Sequence, residues 1–361
     1  MSPAWRWGGV SIDTVQVETT SDCNLKCQGC LRTLRLAHRG WTSRHMPADL
    51  FARVLDHLPI CRVLILNGTG EPMLNPDISA IVRMARDSGK FQGLTFNSNG
   101  LARDIPAFVE VAKAGLSFLS VSVDSLTQAV ADKVRGGTRV DKLAKRVREL
   151  AAALPIPLTI TTVVCRENLL DVGETLAQLN GLGRFTVFLT GWSDVALLDF
   201  LAHDRLTPSH PSDTELNVNR SLKQTSRADS RLQSKPDNGF DFRRSALEPM
   251  GRALEQKDRI FLAALVEKMR PQLPNLDLVL TQPVEKSGER CPAPFRHPFV
   301  NAEGFLAPCC TLTDAYHYGG ISIAEIPLIE AMRLPVPARW LEGYALAEPL
   351  ACRGCQHAVR Q

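Results

Sequence analysis

Cys23, Cys27 and Cys30 fall within eight residues, in the run Thr20-Ser-Asp-Cys-Asn-Leu-Lys-Cys-Gln-Gly-Cys30. Three thiolates can hold three irons of a four-iron cluster, and the missing fourth ligand leaves one iron open to a small molecule. Zinc is the other reading of such a triad, but it would want a fourth Cys or His close by. His38, eight residues past Cys30, does not suit a closed knuckle.

A second set lies near the carboxyl end. Cys291 and Cys309 stand in a C-x12-G-x4-C pattern, Cys310 follows directly, and Cys352-Arg-Gly-Cys355 comes downstream. Gly304 can turn a hairpin that returns Cys309 toward Cys291. With the C-x2-C pair this makes a complete four-thiolate site, which leaves no open position and suits electron transfer or structural support. Cys310 can substitute for Cys309, and a structural zinc site stays open as the alternative. Most of the ten cysteines sit in these clusters, which points to metal ligation in a reducing compartment rather than to disulfides.

The elements that must position the triad read as an α/β fold. Apolar, β-rich runs at 14–18, 62–67, 93–97, 118–123, 158–164 and 184–189 alternate with helical patterns at 48–58, 78–88, 107–114, 142–154 and 169–179. Six βα units predict a partial, open (β/α)6 TIM-like barrel, with its chemistry at the carboxyl ends of the strands. The predicted organisation is a barrel over 13–200, a polar insertion or linker over 203–258 rich in Ser, Asp, Asn, Arg and Pro, and a small carboxy-terminal domain over 259–361. In the last part a helix is expected at 260–268 and a strand at 276–280.

Strand ends carry glycines and polar residues. Asn67-Gly-Thr-Gly-Glu-Pro72 follows the second strand, where Gly68 and Gly70 permit close backbone approach and Glu71 offers a carboxylate for an ammonium group. Asn97-Ser-Asn99-Gly100 follows the third. Ser122 and Asp124, after the fourth, are candidates for ribose hydroxyls, although Asp124 could equally cap the next helix. Cys165, after the fifth, is a thiol that could return a hydrogen atom to a substrate radical, or an inert packing residue.

The C-x3-C-x2-C spacing just after the first strand resembles the signature of the radical S-adenosylmethionine (SAM) enzymes. The 68–72 turn resembles that family's Gly-Gly-Glu-Pro motif with Thr69 in place of the first glycine, and 97–100 is similar to its Thr-Asn-Gly turn. The resemblance implies a four-iron, four-sulfur cluster, S-adenosylmethionine bound to its open iron, and a 5′-deoxyadenosyl radical. By analogy Arg166 and Asn168 would face the cofactor. Gly29 departs from the pattern, since relatives usually place an aromatic residue before the third cysteine. The distal cysteines resemble SPASM/twitch extensions, which implies one auxiliary four-iron cluster on Cys291, Cys309, Cys352 and Cys355.

Relatives of the twitch type imply oxidation of a small polar metabolite, such as a sugar or aminocyclitol carbon of an antibiotic pathway. The alternatives are a peptide maturase that forms crosslinks, a redox-neutral epimerase or decarboxylase, and a non-catalytic zinc protein. A flavodoxin- or ferredoxin-type reductant follows from the resemblance alone. Net charge is only +4, from 42 basic and 38 acidic residues, so charge implies neither a nucleic-acid nor a membrane partner. The first residues lack the apolar core of a secretory signal, so the expected location is cytoplasmic.

Overall fold

The computed structural model describes residues 12–36, 42–192, 252–281, 291, 293–313, 315 and 319–346. Strands β1 (Thr14–Val17), β2 (Cys61–Ile65), β3 (Phe91–Ser98), β4 (Phe118–Ser122), β5 (Leu158–Val164) and β6 (Phe185–Gly191) occupy the six runs read from sequence. Between and after them lie α1 (Leu31–Leu36), α2 (Ala48–His57), α3 (Ile78–Asp87), α4 (Ile105–Gly115), α5 (Gln128–Val134), α6 (Val140–Ala153) and α7 (Val172–Asn180).

The parallel sheet has a seventh member. Helix α8 (Gln256–Met269) leads to β7 (Leu276–Leu280), which pairs with β6 in parallel. The expected boundary at 259 therefore falls inside α8, and this βα unit extends the barrel sheet. The helix and strand were expected from the sequence, but their place in the barrel sheet was not, because a long polar stretch separates them from β6. The insertion over 203–258 lies outside the described residues except for its last part, from Arg252 onward.

Among the described strands the sheet order is β7-β6-β5-β4-β3-β2-β1-β8-β9. The short β8 (Phe299–Val300) runs parallel to β1, and β9 (Leu306–Ala307) returns antiparallel to β8. Gly304, at φ +84°, turns this hairpin, a backbone geometry that side chains with a Cβ rarely adopt. Helices α9 (Ala293–Arg296), α10 (Leu328–Ala331) and α11 (Pro335–Leu346) precede and follow it along the chain.

Register gives the two faces different characters. Val15, Val17, Leu64, Phe96, Val121, Ile160, Val187 and Leu189 are fully buried in one core with Phe51, Ile81, Phe108, Leu143, Leu176 and Leu262 of the helices. The opposite face carries Gln16, Ile65, Thr95, Asn97, Ser120, Ser122, Thr161 and Phe188, aligned strand by strand. Asn97 there is exposed, and Ser122, Thr161 and Phe188 are half-buried. A parallel sheet with helices on one side and a partly polar, accessible face on the other is barrel architecture, and it gathers the loops that follow the strands at one rim. No helix among the described residues is long and apolar enough to cross a membrane.

Candidate active site at the cysteine loop

The loop after β1 carries Cys23, Cys27 and Cys30, none of them in a disulfide. Almost no regular structure holds it, so side chains from elsewhere must. Arg32, the second residue of α1, is buried and donates to Ser21 O (3.1 Å), Leu25 O (3.3 Å) and Asp22 Oδ1 (2.8 Å). The chain after α1 then lies back along the loop start, with Met46 N on Thr19 O (2.8 Å) and Ser21 N on Arg44 O (2.9 Å). Gly29 adopts φ +74°, so an aromatic residue at that position would be strained on this backbone.

Burial raises the Cys23 thiol, and it pushes Cys27 up to about 12 despite the nearby Arg135 guanidinium. Such thiols stay protonated until an electropositive ligand displaces the proton. Sγ of Cys23 accepts from Leu25 N (3.4 Å) and from Asn99 Nδ2 (3.9 Å).

The turn after β2 braces this loop. Glu71 is 3% exposed, and its oxygens accept from Ser98 Oγ (2.8 Å), Asn99 N (2.7 Å) and Met73 N (3.1 Å). Burial raises its pKa against the pull of those bonds. Asn99, fixed in this way, donates to Asn24 Oδ1 (2.7 Å). Glu71 thus connects the second and third strand ends to the cysteine loop, where the sequence suggested an outward carboxylate for an ammonium group.

Gly70 approaches protein rather than ligand. A Cβ there would overlap Thr20 O and lie 2.5 Å from Asp22 O, while Glu71 N donates to Asp22 O (2.6 Å). Gly68 packs on Glu18 in the same manner. The Thr69 that replaces a glycine of the family motif donates to Glu18 Oε1 through both N (2.7 Å) and Oγ1 (2.6 Å). The second oxygen of Glu18 accepts from Ala302 N (3.2 Å), which ties the carboxy-terminal hairpin to the end of β1.

Three further predicted residues are internal. Asp124 pairs with Arg135 (3.0 Å) and accepts from Val163 N (2.8 Å). It neither caps a helix nor offers an unengaged oxygen. Asn168 is fully buried and joins Cys165 N, Asp124 O and Val163 O (2.8, 2.8 and 2.9 Å), so it braces the turn after β5 instead of facing a cofactor. Arg166 is half exposed and pairs with Glu255 and Asp258 at the start of α8. Cys165 is 2% exposed, and burial with a hydrogen bond to Glu167 pushes its thiol up to about 12. Of the predicted cofactor residues, Asn97 and Ser122 are the ones on the accessible sheet face.

The residue that sequence reasoning missed is Arg252, in the tail of the aperiodic stretch. It is 5% exposed and donates to Gln28 O and Oε1 (both 3.1 Å), Lys133 O (2.8 Å) and Glu167 Oε1 (2.5 Å), with its guanidinium carbon 5.6 Å from the Trp192 ring centre. One side chain therefore ties the cysteine loop to the ends of α5, β5 and β6. No local pattern marks it. Glu18 did leave a signal, since polar residues at 16 and 18 alternate with valines in an otherwise apolar strand.

At the carboxyl end, Tyr344 donates to Cys291 O (2.9 Å) and packs in one small core with Cys309 and Leu312, stacked on Trp340 (5.6 Å). Sγ of Cys309 lies 3.1 Å from Thr311 Oγ1. Cys352 and Cys355 lie outside the described residues, as does His38.

A barrel sheet with three thiols outside any disulfide on its first loop narrows the class, and comparison makes it specific. The Radical SAM superfamily profile matches residues 17–179. The match marks a radical SAM domain over those residues, and domains of that superfamily use a four-iron, four-sulfur cluster and S-adenosylmethionine. A PqqA peptide cyclase of Gluconobacter oxydans is 30% identical over 183 residues, 48% of this chain and 49% of that protein. The mycofactocin maturase MftC of Mycobacterium tuberculosis is 29% identical over 167 residues, 45% of this chain and 41% of that protein. The match thus spans about half the length of these relatives. In fold, the chain is similar to anSMEcpe with bound AdoMet (TM-score 0.61, 13% identity, 96% of this chain and 89% of that one). It is also similar to Streptococcus suis SuiB bound to precursor peptide SuiA (TM-score 0.59, 15% identity, 91% and 66%).

Proposed function

We propose that this protein is a radical SAM enzyme that modifies a peptide, with Cys23, Cys27 and Cys30 as the ligands of its SAM-binding cluster. The observation that carries the substrate class is the similarity, near 30% identity, to proteins named PqqA peptide cyclase and mycofactocin maturase. It favours the peptide-maturase alternative over the small-metabolite dehydrogenase that the twitch-like cysteines suggested.

The donor set fits the cluster: three thiols with no disulfide, on one loop whose backbone is pinned from Arg32 and Arg252 and whose Asn24 side chain is held by Asn99. When bound, reduced cluster and S-adenosylmethionine together supply a 5′-deoxyadenosyl radical that takes a hydrogen atom from an unreactive C–H bond. Such a radical attacks the nearest C–H bond, so selectivity rests on positioning. Asn97, Ser122 and Thr161 present amide and hydroxyl groups on the accessible sheet face for that purpose, and Phe188 presents an apolar surface. Cys165 is buried and directs its thiol at Glu167, which speaks for a brace rather than a hydrogen-atom donor.

Cys309, in one small core with Tyr344, and Cys291, whose carbonyl accepts from Tyr344, would hold an auxiliary four-iron cluster together with Cys352 and Cys355, with Cys310 as a substitute. This is the SPASM/twitch-like reading of the carboxy-terminal part.

The test begins with metal analysis of anaerobically purified protein. About eight irons per chain, four for each cluster, fit the proposal, and stoichiometric zinc refutes it. Turnover is then read with S-adenosylmethionine, dithionite and candidate precursor peptides. A peptide product lighter by two hydrogen atoms, with 5′-deoxyadenosine formed in step, supports oxidative crosslinking. Oxidation of an aminocyclitol with no change in any peptide would restore the dehydrogenase reading.

A further inference from the structure

Glu18 directly follows β1, five residues before Cys23, and it is 4% exposed. By the strand's period of two, its side chain shares a face with that of Gln16, the accessible face of the sheet. Taking a carboxylate out of water is costly, and an apolar side chain would fill the same space without that cost. The partners of Glu18 show what the charge does there.

On one side of β1, both residues reach the turn after β2. Gln16 Nε2 donates to Asn67 O (2.7 Å), and Glu18 Oε1 accepts from Thr69 N (2.7 Å) and Thr69 Oγ1 (2.6 Å). A glycine at 69, as in the motif that this turn resembles, would supply the first of those two donors and not the second. On the other side, Gln16 N donates to Pro298 O (3.0 Å) and Glu18 N to Val300 O (2.8 Å), while Glu18 Oε2 accepts from Ala302 N (3.2 Å). Ala302 belongs to the hairpin whose second strand, β9, leads to Cys309 two residues on. The sheet order here is β2-β1-β8, so Thr69 and Ala302 flank β1 on opposite sides. One carboxylate bonds to both flanks, and hydrogen bonds to an ionised group are roughly twice as strong as neutral ones.

We propose that Glu18 is a positioning residue that clamps the turn after β2 to the carboxy-terminal hairpin, and through that turn sets the place of S-adenosylmethionine. The inference rests on the reading of Cys23, Cys27 and Cys30 as ligands of the SAM-binding cluster. The turn lies directly against the thiol loop: Gly70 packs on Thr20 O and Asp22 O, and Glu71 N donates to Asp22 O (2.6 Å). A displaced turn therefore displaces the loop, and misplacing a reacting group by about 1 Å costs on the order of 10²-fold in rate. Glu18 itself touches no reacting atom and acts through Thr69. A side chain that only filled space would leave Thr69 and Ala302 independent of each other.

The test uses the full-length, cluster-loaded protein with S-adenosylmethionine and dithionite and no peptide. Glu18→Gln should raise the KM for S-adenosylmethionine in 5′-deoxyadenosine formation at least about fivefold, and Thr69→Val about threefold. Thr69→Ser keeps the hydroxyl donor and should restore the wild-type KM to within about twofold. Amide hydrogen exchange read by mass spectrometry needs no turnover. Exchange at Ala302 should quicken about tenfold in Glu18→Gln and about threefold in Thr69→Val, although residue 69 lies across β1 from it. Unchanged exchange at Ala302 in Thr69→Val, or a lowered urea midpoint with KM at its wild-type value, would overturn the clamp. Should Glu18→Gln fail to fold, the contrast between Thr69→Val and Thr69→Ser decides alone. Wild-type protein that leaves S-adenosylmethionine intact would instead overturn the cluster reading, and exchange at Ala302 would still decide the clamp.

Discussion

Arg252→Ala is the substitution that best tests how the cysteine loop is held. The side chain is 6% exposed and is bonded to Gln28, Lys133 and Glu167 while it lies over Trp192. Its partner Glu167 has a pKa that is lowered in spite of burial, through hydrogen bonds from Cys165 and the Arg252 charge. Deletion leaves that half-buried carboxylate without its cation and strips the carbonyls of Gln28 and Lys133 of a donor. Breaking a buried pair by removing one partner costs about 3–5 kcal/mol. With a urea slope of about 3 kcal/mol per molar, the unfolding midpoint should drop by about 1–1.7 M. Arg252→Met, which keeps the aliphatic stem over Trp192, should recover little of this, and Arg252→Lys should recover part. In cluster-free protein the Cys27 and Cys30 thiols should react faster with Ellman's reagent in the alanine variant. A midpoint shift below about 0.3 M would refute the reasoning, since it would make the network worth no more than a surface ion pair.

The other predictions bear on the same loop and its braces. Gly70→Ala places a Cβ inside the Thr20 and Asp22 carbonyls, so the protein should fail to retain iron and show a lowered midpoint. Glu71→Gln presents an NH2 to donors that now meet a carboxylate and should cost about 1–3 kcal/mol by urea titration. Alanine at Cys23, Cys27 and Cys30 together should halve the iron and abolish 5′-deoxyadenosine formation, whereas alanine at Cys291 and Cys309 should spare cleavage and block peptide turnover. Burial and Glu167 hold Cys165 at about 12, against 9.0 unperturbed, so its contribution to stability is complete below about pH 9 and is lost as pH rises through about 12. Urea midpoints at pH 8 and pH 10.5 should therefore fall less far apart in Cys165→Ala than in wild type.

What the sequence made legible follows from which forces are local. The six early strands announce themselves because each is a short apolar run bounded by turns, and β7 was readable as a strand at the same residues that the structure gives it. Its membership in the barrel sheet was not readable, since pairing with β6 depends on contacts across a long polar stretch that carries no period. The cysteines were legible by spacing alone. Their neighbours were legible by type but not in direction: Glu71, Asp124 and Asn168 are polar residues at strand ends whose side chains here bond to the chain, and a sequence cannot say which way such a group turns.

The direction they take has a physical reason. A loop that must hold three thiols has little backbone hydrogen bonding of its own, and among its few internal bonds is Cys30 N on Cys27 O (3.3 Å). Donors and acceptors left over by that backbone have to be met from outside, because an unmet buried group costs about as much as a lost core contact. Buried polar side chains around the loop are the supply: Arg32 meets Ser21 O and Leu25 O, Arg252 meets Gln28 O, and Glu71, whose own N donates to Asp22 O, fixes Asn99 against the Asn24 side chain. The polar residues nearest the thiols are thus committed to geometry, and we propose that contact with bound molecules passes to the next layer out, on the face that carries Asn97, Ser122 and Thr161. If that division holds, Ser122→Ala and Asn97→Ala should raise the KM for S-adenosylmethionine or peptide with iron content and urea midpoint unchanged. Glu71→Gln should move the midpoint first. A Ser122→Ala protein that loses iron, or a Glu71→Gln protein altered only in KM, would reverse the assignment of braces and contacts.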